Sequence, residues 1–171
     1  MIILMGIKHS GKTSLGKLAA DHFNIPFMDL DNLLEKEYSK DRKFNFREIY
    51  NILGQTGFKE LETAAAGKIP MSKKGILALG GGTIDNPDAI NFMYKSDTRI
   101  FLDTKEHILF KRIKKNGFPS FLEKSPKKLF SELYYRRRLL YKNFATITIE
   151  FSDEKPKEML EILLKNIKDK K

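Results

Sequence analysis

An α/β fold on a parallel sheet is predicted by three features of the sequence. Short apolar runs alternate with segments of helical periodicity along most of the chain. A glycine-rich loop, "GIKHSGKTS", joins the first apolar run to the first helical segment. The length of 171 residues, 41% of them hydrophobic, suits one domain with a buried core.

Each element follows in order. "IILM" (2–5) reads as a buried strand. "KTSLGKLAADHF" places Leu15, Leu18, Ala19 and His22–Phe23 at helical spacing. "PFMD" (26–29) is a second strand entered by a proline, and "NLLEKEY" is helical. "FREIYNIL" and "FKELETAAAGKI" read as two helices separated by "GQTG". "GILALGGG" carries a strand (75–79) into glycines, and Asn86 with Pro87 opens the helix of "DNPDAINFMY". "RIFLD" (99–103) is a strand, and Thr104 begins the helix "TKEHILFKRIKK". A long helix over "LFSELYYRRRLLYKNF", a strand at 146–151 and a last helix over "KPKEMLEILLKNIKDK" complete the chain. Strands interleaved with helices give a parallel sheet covered on both faces. No repeat or linker divides residues 1–171. The stretch 116–126, "NGFPSFLEKSP", has Gly, two Pro and Phe between helices and reads as a mobile flap.

Composition removes several function classes. There are no cysteines, so disulfides, thiolate catalysis and cysteine metal sites are excluded. No apolar run approaches the roughly 20 residues of a membrane span. The apolar start, Met1 to Met5, is too short for a signal peptide, so a cytoplasmic protein is expected. The net charge is +10, spread over Lys73–Lys74, Lys114–Lys115, Lys127–Lys128, Arg136 to Arg138 and the tail "KNIKDKK". No nucleic-acid-binding module accompanies these residues, so they read as solvated surface that favours anionic substrates.

Gly6-x-x-x-x-Gly11-Lys12-Thr13 is a complete phosphate-loop motif, with a strand before it and a helix after it. Glycine lets the backbone turn tightly and approach phosphate, and successive amides at the helix N-terminus supply positive potential. Lys12 reaches the terminal phosphates, and Thr13 offers its hydroxyl to Mg²⁺. Lys8, His9, Ser10 and Ser14 fill the rest of the candidate nucleotide site, His9 as a variable loop position and not a catalyst. A GTPase would require an N-K-x-D element, which neither "NPDA" nor "NFMY" supplies. Instead "FMDLDNLLE" follows the second strand. Along an extended segment Asp29 and Asp31 would point the same way, toward the edge where the phosphate loop lies. One could position Mg²⁺ through water, and the other could accept a hydroxyl proton. Both could equally be N-terminal acids of the following helix. The residues alone leave both readings open.

The phosphate loop, "FMDLDNLLE", "EIYNILGQTGFKELE", "LGGG" and "RRLLY" resemble shikimate kinases in order and approximate spacing, from Ile2 to about Phe151. The resemblance implies a P-loop kinase domain with a mobile lid and a five-stranded parallel sheet of order 2-3-1-4-5. It implies transfer of the ATP γ-phosphoryl group to the 3-hydroxyl of shikimate, with Mg²⁺, on the route to chorismate and the aromatic amino acids. It makes Asp29 the water-mediated Mg²⁺ residue and Asp31 the base or orienter of the accepting hydroxyl. Gly80, Gly81 and Gly82 match glycines lining the shikimate pocket, and Arg137 matches an arginine gripping its carboxylate. Arg112 matches an arginine lying against adenine. Helices over about 31–69 would bind the acceptor, 116–126 would be the lid, and a monomer is expected.

Three positions depart from the family. Gln55 and Lys59 stand where it writes "GE" and "FR". Lys59 can neutralise a carboxylate but cannot fork around it as arginine does. In the flap, Phe118 replaces the arginine of "RPLL", although Lys114, Lys115 or Lys124 could supply a cation. A kinase for another hydroxy or sugar acid, and a catalytically weak nucleotide-binding relative, are therefore alternatives. Flap arginines contribute strongly to phosphoryl transfer, so Phe118→Arg is expected to raise turnover by about tenfold or more in a coupled ADP-release assay. An unchanged rate would mean that the missing arginine does not limit transfer.

Overall fold

A computed structural model describes residues 1–39, 44–117, 125–152 and 154–169. Its sheet is formed by β1 (Ile2–Met5), β2 (Phe27–Asp29), β3 (Ile76–Ala78), β4 (Thr98–Thr104) and β5 (Ile147–Phe151). All pairings are parallel, in the order β2-β3-β1-β4-β5. In the centre, Ile3 registers with Leu77 on one side and Arg99 on the other. The sheet and its order are those implied by the resemblance.

Seven α-helices are described: α1 (Lys12–Phe23), α2 (Leu30–Tyr38), α3 (Phe46–Gly67), α4 (Pro87–Met93), α5 (Glu106–Asn116), α6 (Pro126–Phe144) and α7 (Pro156–Lys168). Successive residues of β1 point to opposite faces. Leu4 packs with Leu15, Ala19, Leu102, Ile149 and the α7 residues Met159, Leu163 and Ile167. Ile3 and Met5 face the other way, among Leu30, Ile49, Ala66, Leu77, Phe101 and Tyr141. Phe101 stacks on Tyr141 with ring centroids 5.0 Å apart, which ties α6 to the sheet. Burial on both faces is why the central strands β1 and β3 read as apolar runs, whereas the edge strand β5 alternates, with Thr148 and Glu150 exposed.

The elements agree with the sequence reading, with informative exceptions. The break expected at "GQTG" is at Gly54, where φ 65° and ψ −174° interrupt α3. Glycine alone adopts that conformation at little cost. Thr104 does not open α5. It is the last residue of β4, paired with Phe151, because β5 carries the ladder that far. Leu18 is 45% exposed, while Leu15, Ala19 and Ala20 form the buried stripe of α1. Asn86 caps α4 as expected, its side chain accepting from the Ala89 N–H with Pro87 next in line. Of the flap 116–126, residues 118–124, with Phe118 and Lys124, lie outside the described residues.

The last helix is part of the core. Leu163 is fully buried in the cluster under α1. Leu163→Ala is expected to cost about 2–5 kcal/mol of folding free energy, read by denaturant titration. A loss below about 1 kcal/mol would mean that α7 is only loosely attached.

Candidate active site

Parallel strands bring the loops after β1, β2 and β3 to one edge, and the candidate site is built there. The phosphate loop turns between β1 and α1, with Gly11 at φ 96° just before the helix. His9 also lies in the left-handed region, at φ 68°. Its carbonyl accepts a hydrogen bond from Arg112 Nη1 at 3.0 Å, so Arg112 meets the outside of this loop. Ser10 is fully buried within the turn.

Lys12 opens α1 and is buried. Its Nζ donates to the carbonyls of Gly6 (2.9 Å) and Ile7 (3.3 Å). Burial pulls its pKa down to about 8, against the opposing charges of Asp31 and Asp29. The next residue, Thr13, donates its hydroxyl to Asp29 Oδ2 at 2.8 Å.

Asp29 and Asp31 do not share an extended segment. Strand β2 ends at Asp29, and α2 already begins at Leu30. Asp29 is the N-cap, accepting from the Asp31 N–H at 3.1 Å through Oδ1 while Oδ2 meets Thr13. Capping and site-building are thus one arrangement, where the sequence left them as alternatives. Asp31 sits in the first turn of α2. Burial raises its pKa to about 6, the Asp29 charge adds to that, and Lys12 opposes it.

The triple glycine closes this edge. A Cβ on Gly80 would stand 2.5 Å from Asp31 Oδ1, and one on Gly81 would stand 2.9 Å from the Lys8 amide nitrogen. On Gly82 it would come within 3.3 Å of Arg137 Nη2. Bare backbone is the condition for these neighbours to close in. Arg137, from α6, donates through Nη1 to the Gly81 carbonyl at 3.0 Å and through Nε to Asp85 Oδ2 at 2.8 Å. Arg136 pairs with the same Asp85 further out, and Arg138 turns away to Asp103.

Three contributors were not named from the sequence. Glu62 is buried three residues after Lys59 on α3, on the same side of the helix. It accepts from the Thr83 hydroxyl (2.7 Å) and from Asn86 Nδ2 (2.9 Å). Burial drives its pKa up, and these two hydrogen bonds hold it back. An acid amid the apolar pattern of "ELETAAA" was the available signal. Tyr141 is buried with its hydroxyl 3.2 Å from both the Gly6 and Gly81 carbonyls. Its spacing of four from Arg137 puts both on one side of α6. Asp85 has no comparable signal in the sequence.

One cavity of about 1040 Å³ joins these groups. Lys8, His9, Gly11 to Ser14, Asp29, Asp31, Lys59, Gly80 to Gly82 and Arg137 all border it. Thr13 and Asp29 put two hard oxygens side by side next to the phosphate loop, a donor set that fits Mg²⁺ completed by water and phosphate. Among the described residues no three His, Cys, Asp or Glu side chains gather as a metal cage. Nor is any helix among them long and apolar enough to cross a membrane.

The family model for shikimate kinase matches residues 8–168. A shikimate kinase of Caldanaerobacter subterraneus is 32% identical, covering 96% of this chain and 94% of its own. One of Chlamydia pneumoniae is 34% identical, over 80% of this chain and 77% of its own. Among solved structures, shikimate kinase from Acinetobacter baumannii in complex with shikimate superposes with a TM-score of 0.87 at 25% identity. It covers 99% of this chain and 93% of that one. Shikimate kinase from Aquifex aeolicus gives 0.80 at 27% identity, covering 98% and 95%.

The placement of Asp31 has a direct test. Its carboxyl resonance should titrate near pH 6 by NMR, above the ordinary aspartate range. Asp29→Asn should move that midpoint down, because the Asp29 charge helps to hold it up. A midpoint near 4, unmoved by the substitution, would mean that Asp31 is neither buried nor coupled to Asp29.

Proposed function

The chain belongs to the shikimate kinase family, and on that premise we propose that it transfers the γ-phosphoryl group of ATP to the 3-hydroxyl of shikimate. The observation that carries this reading is the single cavity running from the phosphate loop past Asp31 to the triple glycine and Arg137. A nucleotide end and an acceptor end share it, with a carboxylate between them.

The roles follow from position. The loop amides and Lys12 receive the β and γ phosphates. In the structure Lys12 is already drawn to the Gly6 and Ile7 carbonyls, and phosphate oxygens are stronger acceptors than carbonyls. Thr13 and, through water, Asp29 would hold Mg²⁺, which supplies charge neutralisation on the phosphates. Asp31 orients the acceptor hydroxyl and takes its proton. A pKa of about 6 leaves it mostly ionised at neutral pH while keeping it a better base than an ordinary aspartate. Gly80 to Gly82 let the ring approach bare backbone, Arg137 grips the carboxylate, and Lys59 adds positive charge near Glu62. Arg112 would lie against the adenine. Catalysis is then mainly positioning and charge neutralisation. A monomer working in the cytoplasm, where ATP is consumed, completes the proposal.

The test is ADP release with shikimate, ATP and Mg²⁺. Shikimate-dependent turnover is expected. Asp31→Asn should lower kcat by about a hundredfold or more, leave ATP affinity within about threefold, and remove the acid limb of the pH profile near 6. No shikimate-dependent turnover would overturn the reading. Turnover with another hydroxy acid would redirect it, and an unchanged rate in Asp31→Asn would end that assignment.

A further inference from the structure

Asp85 lies in the 3₁₀ turn Thr83–Asp85 that follows the triple glycine, and its carboxylate borders the same cavity as Arg137. It lies between two arginines. Arg136 reaches Oδ1 and Oδ2 at 2.8 and 3.1 Å from the outer side, with more than half of its side chain exposed. Arg137, only 17% exposed, directs both Nε (2.8 Å) and Nη2 (2.7 Å) at Oδ2. Burial alone would raise the Asp85 carboxyl, yet the two guanidinium groups hold it below the ordinary aspartate range.

A guanidinium has two edges that can take a carboxylate by two bonds: Nε with Nη2, and Nη1 with Nη2. Asp85 occupies the first. Nη1 donates one of its two hydrogens to the Gly81 carbonyl at 3.0 Å and keeps the other for a second acceptor. With the group fixed at both ends, the Nη1–Nη2 edge is left for an incoming acid. We propose that Asp85 is a positioning residue for the acceptor: it locks Arg137 by one edge so that the substrate carboxylate docks on the other. The proposal rests on the reading of Arg137 as the carboxylate grip. Asp85 also places a negative charge near that grip, which by itself would weaken acid binding. The two effects oppose, so the sign of a substitution distinguishes them.

If positioning dominates, Asp85→Asn raises KM for shikimate by about tenfold, moves kcat much less, and leaves KM for ATP within about twofold. Asp85→Glu, which keeps the charge, recovers part of that loss. In an Arg137→Lys background there is no fork to orient, and Asp85→Asn then leaves KM for shikimate unmoved. An unchanged or lowered KM in the Asp85→Asn single variant overturns the proposal while leaving the kinase reading intact. The wild-type protein gives a reading that needs no variant. On addition of shikimate alone, the Arg137 Nε–H resonance should stay protected from solvent exchange. Loss of that protection would mean that the acid displaces Asp85, which also overturns it. A wild-type protein that neither binds nor phosphorylates shikimate removes the kinase reading and this proposal together.

Discussion

The site depends on two loops meeting backbone to backbone. The turn after β3 passes so close to the phosphate loop that a Cβ on Gly81 would sit 2.9 Å from the Lys8 nitrogen. Glycine at this point is a steric requirement, because peptide planes cannot approach so nearly with a side chain between them. Tyr141 locks the contact from beneath. Its hydroxyl lies 3.2 Å from a carbonyl of each loop, and its ring is stacked on Phe101 of β4. The spacing between the phosphate loop and the triple-glycine turn is therefore set by covalent geometry and a packed ring, not by flexible side chains.

Around that contact the charges alternate in sign. Lys12 is buried near Asp31 and Asp29, Glu62 is satisfied by Thr83 and Asn86, and Arg137 is paired with Asp85. Each buried charge has a partner, as desolvation demands. The balance is incomplete at Asp31, where burial and the Asp29 charge outweigh Lys12 and leave the carboxyl raised. A group held out of balance next to a phosphate loop is suited to moving a proton, and such perturbed groups mark functional sites.

Much of this was legible in the sequence because it rests on local rules. The phosphate loop, the alternation of strands and helices, and the Asn86–Pro87 cap each follow from a few adjacent residues. Period-two geometry failed at Asp29 and Asp31 because the helix starts one residue after the strand stops, and only the cap shows this. Thr104 was misread because the extent of β4 is set by β5, more than forty residues away. Glu62, Asp85 and Tyr141 were missed for a related reason. Their roles come from contacts across the fold, such as Arg137 to Asp85; the acid within "ELETAAA" and the spacing of four between Arg137 and Tyr141 are local hints for two of them, and Asp85 has none. Arg137 itself was singled out by resemblance to a family; of its neighbours, Arg136 shares Asp85 from the outer side and Arg138 pairs with Asp103.

In the proposed function, Lys59 changes how the acceptor end works. The family pattern supplies two arginine forks for one carboxylate, and two forks fix its plane redundantly. Here Lys59 contributes a point charge, with its backbone carbonyl tied by Thr63 and Asn86 and its ammonium near Glu62. A point charge attracts the acid without setting its orientation. In the proposed reading, orientation then falls to Arg137 alone, and any rotation of that guanidinium would pass directly to the hydroxyl that must face Asp31. That rotation would cost the docked acid one of its two charge-assisted bonds, so the loss falls on acid binding more than on rate. Where one of two forks is absent, the surviving fork has to be held more firmly, and Asp85 with the Gly81 carbonyl provides that hold at both of its ends.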